Sequence, residues 1–577
     1  PPVHEVIEVG LPLLSYGPTV YNQSLLNYTF GNSWGHPAIV DYVAPPSNIT
    51  FNQVVITLNT WVDGVQYDRL AHLYLDGSEI WRTSTIEPSG NLSHSFAQKD
   101  LSIYAKLFEK DTTLIFQLDN LITPRLTGAF NISLNALYFN STPGFSLLPK
   151  DPAETDSNKE FLIQDIDDEI IPGALDTVFS SREAADQVFP LVKTDIPSRP
   201  PLVYIPDKDF TAPLPKLNTN TTKVKLELFV SGNAEEEFWW SNVLDEFTPV
   251  FEKHGHKLGG HGPCRVVNVF SNGYRIASAN PYPVIFTGGV SPPLWNPIVS
   301  SGAFDLRALE VDLTSLLPLF WDDEENDITV EITNCIDDDD KLVGPPSGIG
   351  NNWITSANIV AWENELIADG TGEILAFDNS TKISSFGFAP PMIGMLQQIV
   401  RAEYTNKVNS TLYYTLLNGT TYNYTAESYN EAKQMSMINM KKFGDSQTIL
   451  SVPESKHSFA VLDYITNETL STLNYTHRYA LTSKLETQPL IPGSGELSYG
   501  VNITRDIDIK VGIDGLTAVK LTSKENGTSN FTLSPNGNHG FGSSEHNLTI
   551  TESAPLENAT YNRHALGVNG TIIYDNV

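Results

Sequence analysis

The chain has 577 residues and a formal net charge of −33, with 40% hydrophobic and 10% aromatic residues. This length exceeds what a single hydrophobic core usually supports and predicts about two to four domains. The acidic excess argues against a nucleic-acid partner, because the phosphates would be repelled. No apolar run reaches the ~18 residues that a membrane-spanning helix needs, so we expect no membrane span.

Residues 1–145 form the first predicted domain. Apolar alternation bounded by turn residues predicts strands at residues 54–58, 70–75, 80–85, 114–118 and 128–139. The sequence Asp76-Gly77-Ser78 predicts a tight turn between the second and third of these strands. Short strands joined by tight turns predict a β-sandwich of the jelly-roll type. Residues 146–215, rich in proline and acidic side chains, follow as a connection that proteolysis could cut, so we expect either a monomer or an internally processed two-chain protein.

A second β-rich domain is predicted at residues 216–390, opening with a strand in which Val224, Leu226, Leu228 and Val230 alternate with other residues. The block repeats a feature of the first one. Asp100-Leu101-Ser102 and Asp312-Leu313-Thr314 each precede a leucine-containing turn and then a strand. The repetition predicts a duplicated jelly roll.

Residues 391–577 are predicted to form an additional β-rich domain, because several stretches alternate threonine and tyrosine with apolar residues. Two helices are expected here, at residues 392–403 and at residues 426–442, the second because it contains alanine, glutamate, glutamine, methionine and lysine. The predicted fold class is therefore all-β, with two adjacent jelly-roll sandwiches and a C-terminal β domain.

Acceptor sequences for N-glycosylation are unusually frequent and predict a secreted, extracellular protein. The alternative is that a surface rich in asparagine and threonine produces such sequences by chance. The 19 asparagines are Asn22, Asn27, Asn48, Asn91, Asn131, Asn140, Asn220, Asn379, Asn409, Asn418, Asn423, Asn467, Asn474, Asn502, Asn526, Asn530, Asn547, Asn558 and Asn569.

Cys264 and Cys335 are the two cysteines of the chain. In an oxidising compartment they are expected to form a disulfide that closes a long loop and stabilises the fold by roughly 4 kcal/mol. A catalytic thiol is the alternative, although neither cysteine has a local histidine or a helix start that would lower its pKa.

Three acidic positions are candidates for chemistry. Asp68 lies where a strand begins, beside Arg69, and Asp119 lies where another strand ends. Glu235-Glu236-Glu237 precedes Phe238-Trp239-Trp240, and acids next to aromatic rings suit a sugar, because rings stack on apolar sugar faces while carboxylates bind hydroxyls or transfer protons. By pattern alone, solvated strand-end acids and an exposed acidic loop beside core aromatics explain the same residues.

A metal site is not expected, and neither is a cofactor. His254, His256 and His261 lie at irregular spacing in a glycine-rich loop, and the run of four aspartates from Asp337 is typical of a solvated acidic insert. No Gly-X-Ser-X-Gly or phosphate-binding glycine motif occurs, which argues against serine acyl transfer and nucleotide chemistry.

Several segments resemble the peptide:N-glycanase A family of plants and fungi, amidases that release N-glycans from asparagine. These segments lie between about residues 28 and 365. They are Phe30-Gly31-Asn32-Ser33-Trp34-Gly35-His36-Pro37, Gln66-Tyr67-Asp68-Arg69-Leu70-Ala71, Arg82-Thr83-Ser84-Thr85 with Glu87-Pro88, Glu236-Glu237-Phe238-Trp239, and Val284-Ile285-Phe286-Thr287-Gly288-Gly289 with Leu294-Trp295.

A more distant resemblance to the bacterial peptide:N-glycanase F family implies three acids in a cleft between two jelly rolls. Tyr67-Asp68-Arg69-Leu70-Ala71 matches that family's segment with the first acid, and Asp119 matches the second, with aspartate in place of glutamate. Glu237 matches the third, with Glu236 as its competitor. The cysteines that flank this glutamate in the bacterial proteins are absent here.

The resemblance implies metal-free hydrolysis of the amide that joins asparagine to the first N-acetylglucosamine of a glycopeptide or glycoprotein. Asp68 is then the primary acid/base, Glu237 orients water or binds the proximal sugar, and Asp119 supports them. The substrate-binding residues implied are Arg69, Glu236, Trp239 and Trp34. A secreted lectin-like protein that binds glycans without cleaving them, and a glycosidase that uses paired carboxylates, are the competing interpretations.

Overall fold

A computed structural model describes residues 3–12, 17–88, 90–140, 184–196, 198–341, 344–488, 493–554 and 558–577. Within these ranges the regular structure is almost entirely β, in two sandwiches and one large C-terminal sheet. The predicted all-β fold class is therefore confirmed. Among the described residues, no helix is long and apolar enough to cross a membrane.

The first sandwich consists of two sheets packed face to face. One sheet has the order β1-β7-β4-β9-β2, and the other has the order β3-β8-β5-β6. A 3₁₀ helix, Ser102–Glu109, lies between β7 and β8. The strands are β1 His4–Glu8, β2 Tyr21–Phe30, β3 Ala38–Tyr42, β4 Gln53–Asp63, β5 Leu70–Leu75, β6 Ser78–Ser84, β7 Ser93–Asp100, β8 Thr112–Leu118 and β9 Ala129–Phe139.

Strand alternation places one face of each sheet in the core of this sandwich. Along β9, Phe130, Ile132, Leu134 and Ala136 are buried, whereas the residues between them are at least partly exposed. The predicted segments at residues 54–58, 70–75, 80–85, 114–118 and 128–139 all fall on strands, and Asp76-Gly77 forms the predicted turn with positive φ at both residues.

The second sandwich also consists of two sheets. One has the order β10-β19-β13-β17, with β11 also on β19, and the other has the order β12-β18-β14-β15. The two-residue strand β16 pairs in parallel with β1 of the first sandwich. The strands are β10 Gln187–Pro190, β11 Val203–Ile205, β12 Phe210–Pro213, β13 Thr221–Gly232, β14 Arg265–Ser271, β15 Tyr274–Ala279, β16 Ile298–Val299, β17 Leu309–Asp312, β18 Asp327–Asn334 and β19 Trp353–Glu363.

Short helices occupy the loops of this domain. The α-helix α1 is Leu317–Trp321, and 3₁₀ helices occur at Ala234–Glu236, Trp239–Ser241, Asp245–Phe247, Glu252–His254, Pro292–Trp295, Thr314–Leu316 and Cys335–Asp338. Strands β10, β11 and β12 lie within residues 146–215, the predicted connection, and pair with β18 and β19. Residues 146–183 of that connection lie outside the described residues.

The repeated Asp-Leu-Ser/Thr sequence marks the same corner in both sandwiches. Asp100 at the end of β7 accepts a hydrogen bond from the backbone N–H of Ser102 at 2.8 Å, and Asp312 at the end of β17 accepts one from Thr314 at 2.8 Å. In each case the chain then passes through a helical turn and enters the opposite sheet. The repeat therefore reflects one turn structure used twice.

A buried ionic cluster joins the two sandwiches. Arg82 on β6 pairs with Glu79 through Nε at 2.7 Å and Nη2 at 2.8 Å. Its Nη1 donates to Ser231 Oγ on β13 at 3.0 Å and to the carbonyl oxygen of Ile354 on β19 at 2.8 Å. Strand β6 leads to the segment with Glu87, and β13 leads to Glu237. The contact therefore joins the two strands that these glutamates follow.

The C-terminal domain is one antiparallel sheet of ten strands in chain order, which covers the second sandwich. A 3₁₀ helix, Lys442–Gly444, lies between the third and fourth strands. The strands are β20 Ile367–Phe388, β21 Leu396–Leu416, β22 Thr421–Lys441, β23 Ser446–Asp463, β24 Thr469–Thr487, β25 Leu497–Ile513, β26 Leu516–Leu533, β27 His539–Glu552, β28 Ala559–Val568 and β29 Thr571–Asn576. The first of them lies within residues 216–390, the range predicted for the second domain.

The two helices predicted in this domain are wrong. Residues 392–403 contain a turn and the start of β21, and residues 426–442 belong largely to β22. Leu396, Gln398, Val400, Ala402 and Tyr404 are all buried, which is the period-two pattern of a strand. Helix propensity is a weak preference, and pairing with long strands on both sides overrides it.

Candidate active site

The segment Gln66-Tyr67-Asp68-Arg69 is fixed by buried hydrogen bonds before β5 begins. Gln66 is buried, and its Nε2 donates to the carbonyl oxygens of Leu121 at 3.2 Å and Gly128 at 3.0 Å. Its Oε1 accepts from the Tyr67 N–H at 3.0 Å and from Arg69 Nη2 at 2.9 Å. One buried amide therefore sets the backbone path on which Asp68 lies.

Arg69 links this segment to its neighbours. Its Nε donates to Oδ1 of the buried Asn120 at 3.2 Å. Its backbone N–H donates to Thr85 Oγ1, and its carbonyl oxygen accepts from the Thr85 N–H, both at 2.8 Å. Because the Gln66 N–H also bonds the Pro88 carbonyl at 3.5 Å, residues 66–69 run beside residues 85–88. Asp68 and Glu87 consequently face each other.

Asp68 and Glu87 form a carboxyl pair that shares a hydrogen bond. Burial raises the pKa of Asp68 to about 6, although its own backbone N–H, the Glu87 carboxyl and Arg69 oppose the shift. Burial, the charge of Asp68 and their shared hydrogen bond raise the pKa of Glu87 to about 8. Two adjacent carboxyls in a partly desolvated site cannot both ionise easily, so near neutral pH Glu87 holds the proton and Asp68 carries the charge.

The Glu87 carboxylate fits closely against Gly288 of the second sandwich. A Cβ atom at residue 288 would overlap the Glu87 carboxylate oxygens. Thr287 Oγ1 donates to the Thr85 carbonyl oxygen at 3.0 Å and holds the 284–289 loop in place. Glycine at this position therefore leaves the space that Glu87 occupies, which accounts physically for one glycine of the Thr287-Gly288-Gly289 sequence.

Glu237 enters the site from the second sandwich. It follows β13 through the 3₁₀ turn Ala234–Glu236, whose first residue has φ +49°, and the Glu237 N–H donates to the Ala234 carbonyl oxygen at 3.1 Å. Burial, followed by the charge of Asp68, raises the pKa of Glu237 to about 7. The charge of Glu237 acts on Glu87 as well. Three carboxyl groups with raised pKa values thus meet between the two sandwiches.

Glu236 points away from this cluster and is fully buried. Its carboxylate accepts from Arg265 Nε at 2.6 Å and Nη2 at 2.8 Å, from the Gly350 N–H at 2.8 Å and from Trp353 Nε1 at 2.9 Å. Burial alone would raise the pKa of Glu236, but the hydrogen bonds and charge of Arg265 outweigh it and the pKa is lowered. Both carboxylate oxygens of Glu236 are therefore engaged, which argues against the substrate-binding role predicted for this residue. The ion pair of Glu236 with Arg265 instead holds the turn that carries Glu237.

The aromatic residues predicted to bind substrate lie in different environments. Trp34 is 62% exposed, and Tyr67 beside Asp68 is 57% exposed. Trp239 is only 2% exposed and packs against Trp353, with ring centroids 6.4 Å apart. Of the two predicted tryptophans, Trp34 can therefore present a ring face to a sugar, whereas Trp239 belongs to the core.

Asp119 follows β8 and binds the loop at Gly35. Its Oδ1 accepts from the Gly35 N–H at 3.0 Å, and its Oδ2 accepts from Gln117 Nε2 at 3.1 Å. Its charge acts on Arg69, where it opposes the lowering of the pKa by burial. Asp119 thus holds the loop that carries Trp34 and acts through its charge on Arg69.

The residue that sequence reasoning missed is Glu87. The sequence places it only in the Glu87-Pro88 motif, whereas the structure pairs it directly with Asp68. Nothing in local periodicity distinguishes it, because it lies in an irregular segment after β6. The available signal is its position in a family motif, two residues after Thr85. The backbone N–H of Thr85 donates to the Arg69 carbonyl oxygen, so this motif lies beside the Asp68 segment.

Cys264 and Cys335 form a disulfide, as predicted, with Cα atoms 5.5 Å apart and a sequence separation of 71. The bond lies next to Arg265, whose Nη1 donates to the Cys264 carbonyl oxygen at 2.8 Å. The cross-link therefore supports the arginine that binds Glu236, and this thiol pair is not a free nucleophile.

The histidines that suggested a metal ion do not converge. His256 Nε2 pairs with Asp445 at 2.8 Å, His261 Nδ1 contacts the Ser347 carbonyl oxygen at 2.8 Å, and the His254 ring stacks on Phe443. Across the described parts of the chain, no group of three or more His, Cys, Asp or Glu side chains is placed to hold a metal.

Known proteins that resemble the chain include enzymes of glycosylated asparagine. Peptide-N4-(N-acetyl-beta-glucosaminyl)asparagine amidase A from Prunus dulcis is 26% identical over 347 residues, which are 59% of this chain and 54% of that protein. The chain thus spans about half the length of this curated relative.

Among solved structures, PNGase F, a glycosylasparaginase from Flavobacterium meningosepticum, aligns with 14% identity and a TM-score of 0.34 over 60% of this chain and 96% of that chain. PNGF-II aligns with 12% identity and a TM-score of 0.34 over 60% and 66% of the two chains. The sequence profile described as peptide N-acetyl-beta-D-glucosaminyl asparaginase amidase A matches residues 13–380. The chain belongs to this family, as its motifs predicted.

Proposed function

We propose that this protein is an amidohydrolase that releases N-glycans by cleaving the amide between asparagine and the first N-acetylglucosamine. The observation that carries the proposal is the carboxyl cluster between the sandwiches, in which Asp68 and Glu87 share a hydrogen bond and Glu237 approaches from the second sandwich. Family membership and the named relative support the same reaction. The substrate is a glycopeptide or a glycoprotein.

Two proton transfers divide between the paired acids. Asp68, the ionised member near neutral pH, takes a proton from water as the water oxygen adds to the side-chain carbonyl carbon. Glu87, the protonated member, gives its proton to the departing nitrogen as the carbon–nitrogen bond breaks. Transfer of the proton from Asp68 to Glu87 along their hydrogen bond then restores the starting state.

The products balance the reaction. The asparagine becomes aspartic acid, and the sugar leaves as a glycosylamine that exchanges its amino group for water and releases ammonia. Glu237 orients the water or binds the first sugar, and Arg69 fixes the Asp68 segment. The exposed rings of Trp34 and Tyr67 offer faces on which a sugar or the peptide next to the amide packs.

An N-glycopeptide incubated with the protein in ¹⁸O-water and analysed by mass spectrometry tests this function. The amidase produces a peptide in which aspartate replaces asparagine and carries one ¹⁸O atom. A peptide that keeps one N-acetylglucosamine on asparagine indicates a glycosidase instead. A glycopeptide that binds but stays intact indicates the lectin-like alternative and contradicts both enzyme interpretations.

We also propose that the protein is secreted. None of the 19 asparagines in glycosylation sequences is buried, and 15 of them are exposed, so a glycan on any of those 15 extends into solvent. Expression through a secretory pathway should give a protein whose mass falls after enzymatic deglycosylation, with its cysteines oxidised. Retention of the folded protein inside the cell, without glycans, would contradict the proposal.

The chain is proposed to act as a monomer, either whole or cut within residues 146–215. Denaturing gel electrophoresis distinguishes one polypeptide from two, and light scattering gives the mass of the assembly. An assembly mass that corresponds to two or more copies of the whole polypeptide would contradict the monomer.

A further inference from the structure

A cavity of about 490 Å³ lies where the two sandwiches and the C-terminal sheet meet. Glu237 and Phe286 line it at the carboxyl cluster, while Asp68 and Glu87 do not line it. Phe96 of β7 contributes from the first sandwich, and Tyr479 of β24 and Leu521 of β26 contribute from the C-terminal sheet. The cavity is in the size range of ligand pockets. Glu237 belongs both to its wall and to the carboxyl cluster.

Several charged side chains of its wall are already paired. Lys99 Nζ lies 2.6 Å from Asp305, and Lys225 Nζ lies 3.3 Å from Glu227 and 3.1 Å from Glu310. From the C-terminal sheet, Arg505 Nη1 donates at 2.8 Å both to Ser300 Oγ and to the Ser301 carbonyl oxygen. Since a charged occupant would need a free partner in this desolvated space, the wall favours a neutral one.

Aromatic rings contribute to the remaining surface, together with aliphatic side chains. Phe96, Tyr104, Phe229, Tyr282, Phe304 and Tyr479 all line the cavity. Phe96 is 47% exposed even though it lies on the wall, which places its ring at an open part of the cavity. Rings alternating with paired polar groups are the surface on which neutral sugars bind, through their apolar faces and hydroxyls.

We infer that this cavity binds the sugars of the N-glycan beyond the one attached to asparagine, and that the C-terminal sheet is part of the substrate site. The inference rests on the proposed amidase function. Glu237 then marks the position of the first sugar, with the glycan running from it toward β24–β26. The peptide remains on the side of Asp68, where the exposed Tyr67 and Trp34 lie.

Two substrates on the same peptide test the inference, one with a complete branched N-glycan and one with only the two-sugar N-acetylglucosamine core. Phe96→Ala removes a ring from the open part of the wall, and its exposure makes loss of folding a minor concern. The KM for the complete glycan should rise about threefold to tenfold, the loss of one stacked ring, and by clearly more than the KM for the core.

Ser523→Trp, in which a small residue of β26 at the wall becomes large, should raise the KM for the complete glycan in the same way. Phe541→Ala is the matched control, because Phe541 is an exposed ring (59%) of the C-terminal sheet that does not line the cavity. It should leave both KM values unchanged. Thermal melting establishes that each variant is folded; should Ser523→Trp not fold, Phe96→Ala decides.

Equal changes of KM for the two substrates in Phe96→Ala, or a change that follows peptide length rather than glycan length, would overturn the inference. A second readout separates it from the proposed reaction. If the wild-type protein cleaves neither substrate, the amidase proposal fails. Calorimetric titration with the free branched glycan then still tests the cavity, since weaker binding by Phe96→Ala supports it and identical binding contradicts it.

Discussion

Asp68 and Glu87 show how two neighbouring carboxyl groups acquire different roles from one environment. Both are partly desolvated, but Arg69 and the backbone favour the charge on Asp68, whereas the charge of Asp68 itself keeps the proton on Glu87. An acid and a base therefore stand side by side near neutral pH.

Replacing Asp68 by asparagine should abolish the base while keeping the shape of the side chain. We expect kcat for glycopeptide cleavage to fall about 10²–10⁴-fold, with a melting temperature no lower than that of the wild type, because a carboxyl group with a raised pKa is removed. Asp119→Asn is the informative comparison, because Asp119 binds the backbone N–H of Gly35 and acts on Arg69 through its charge, and its kcat should fall far less. A larger loss in Asp119→Asn than in Asp68→Asn would contradict the assignment of the two acids.

Glu87→Gln should change the pH dependence of kcat/KM as well as its size. In the wild-type protein, activity should rise as pH increases through about 6, where Asp68 loses its proton, and fall through about 8, where Glu87 loses its own. Glutamine cannot lose a proton at this position, so the fall above pH 8 should disappear from the residual activity. A pH profile with the same alkaline limb in both proteins would show that Glu87 is not the proton donor.

Strand β6 leads to Glu87, and strand β13 leads to Glu237. The Glu79–Arg82 pair joins these two strands. Burial would raise the pKa of Glu79, but the charges of Arg82 and His72 and their hydrogen bonds lower it to about 2. Arg82 also bonds Ser231 and Ile354 across the domain boundary. A planar guanidinium can make these contacts together, whereas a lysine ammonium lacks the necessary fork of donors.

Arg82→Met should leave Glu79 buried without its partner and lower the free energy of unfolding by about 3–5 kcal/mol, as measured by urea denaturation. The double variant Glu79→Gln/Arg82→Met should recover part of this loss, because the uncompensated charge is gone. Arg478→Met is the control, since its pair with Glu454 is solvent-exposed and should contribute at most about 1 kcal/mol. Equal losses at the two arginines would contradict a buried interdomain role for Arg82.

On the scale of the whole molecule, the raised carboxyl pKa values predict how stability depends on pH. Glu8, Glu87 and Glu237 have folded-state pKa values of about 7, 8 and 7, above the ordinary value of 4.5. Their contribution is complete below 4.5 and is lost as pH rises through 7 to 8, because the folded state binds more protons there. Buried His457 and His477, with pKa values lowered to about 4 and 3, oppose this only below about pH 6.5, where the unfolded state gains protons.

The melting temperature should therefore rise as pH falls from 8 to 6.5. Glu87→Gln should flatten this rise, because one of the groups responsible no longer titrates, and the variant should gain most stability relative to wild type at pH 8. Glu468→Gln, a change of the same charge at an exposed site, is the control for net charge. An identical slope in wild type and Glu87→Gln between pH 6.5 and 8 would refute the linkage.

The all-β class, the two sandwiches, the disulfide and the family could be predicted from the sequence. Alternating apolar residues, turn residues and sequence motifs are local properties of the chain. The sequence could nominate Asp68 and Glu237, since each lies in such a motif. The tertiary structure was needed to show that Glu87 joins Asp68, that Glu236 forms an ion pair with Arg265, and that Asp119 binds the loop at Gly35. Pairing with neighbouring strands likewise makes residues 392–403 and 426–442 largely β, where the sequence predicts helices. Side-chain environments depend on contacts between residues far apart in the chain, and no local pattern records those contacts.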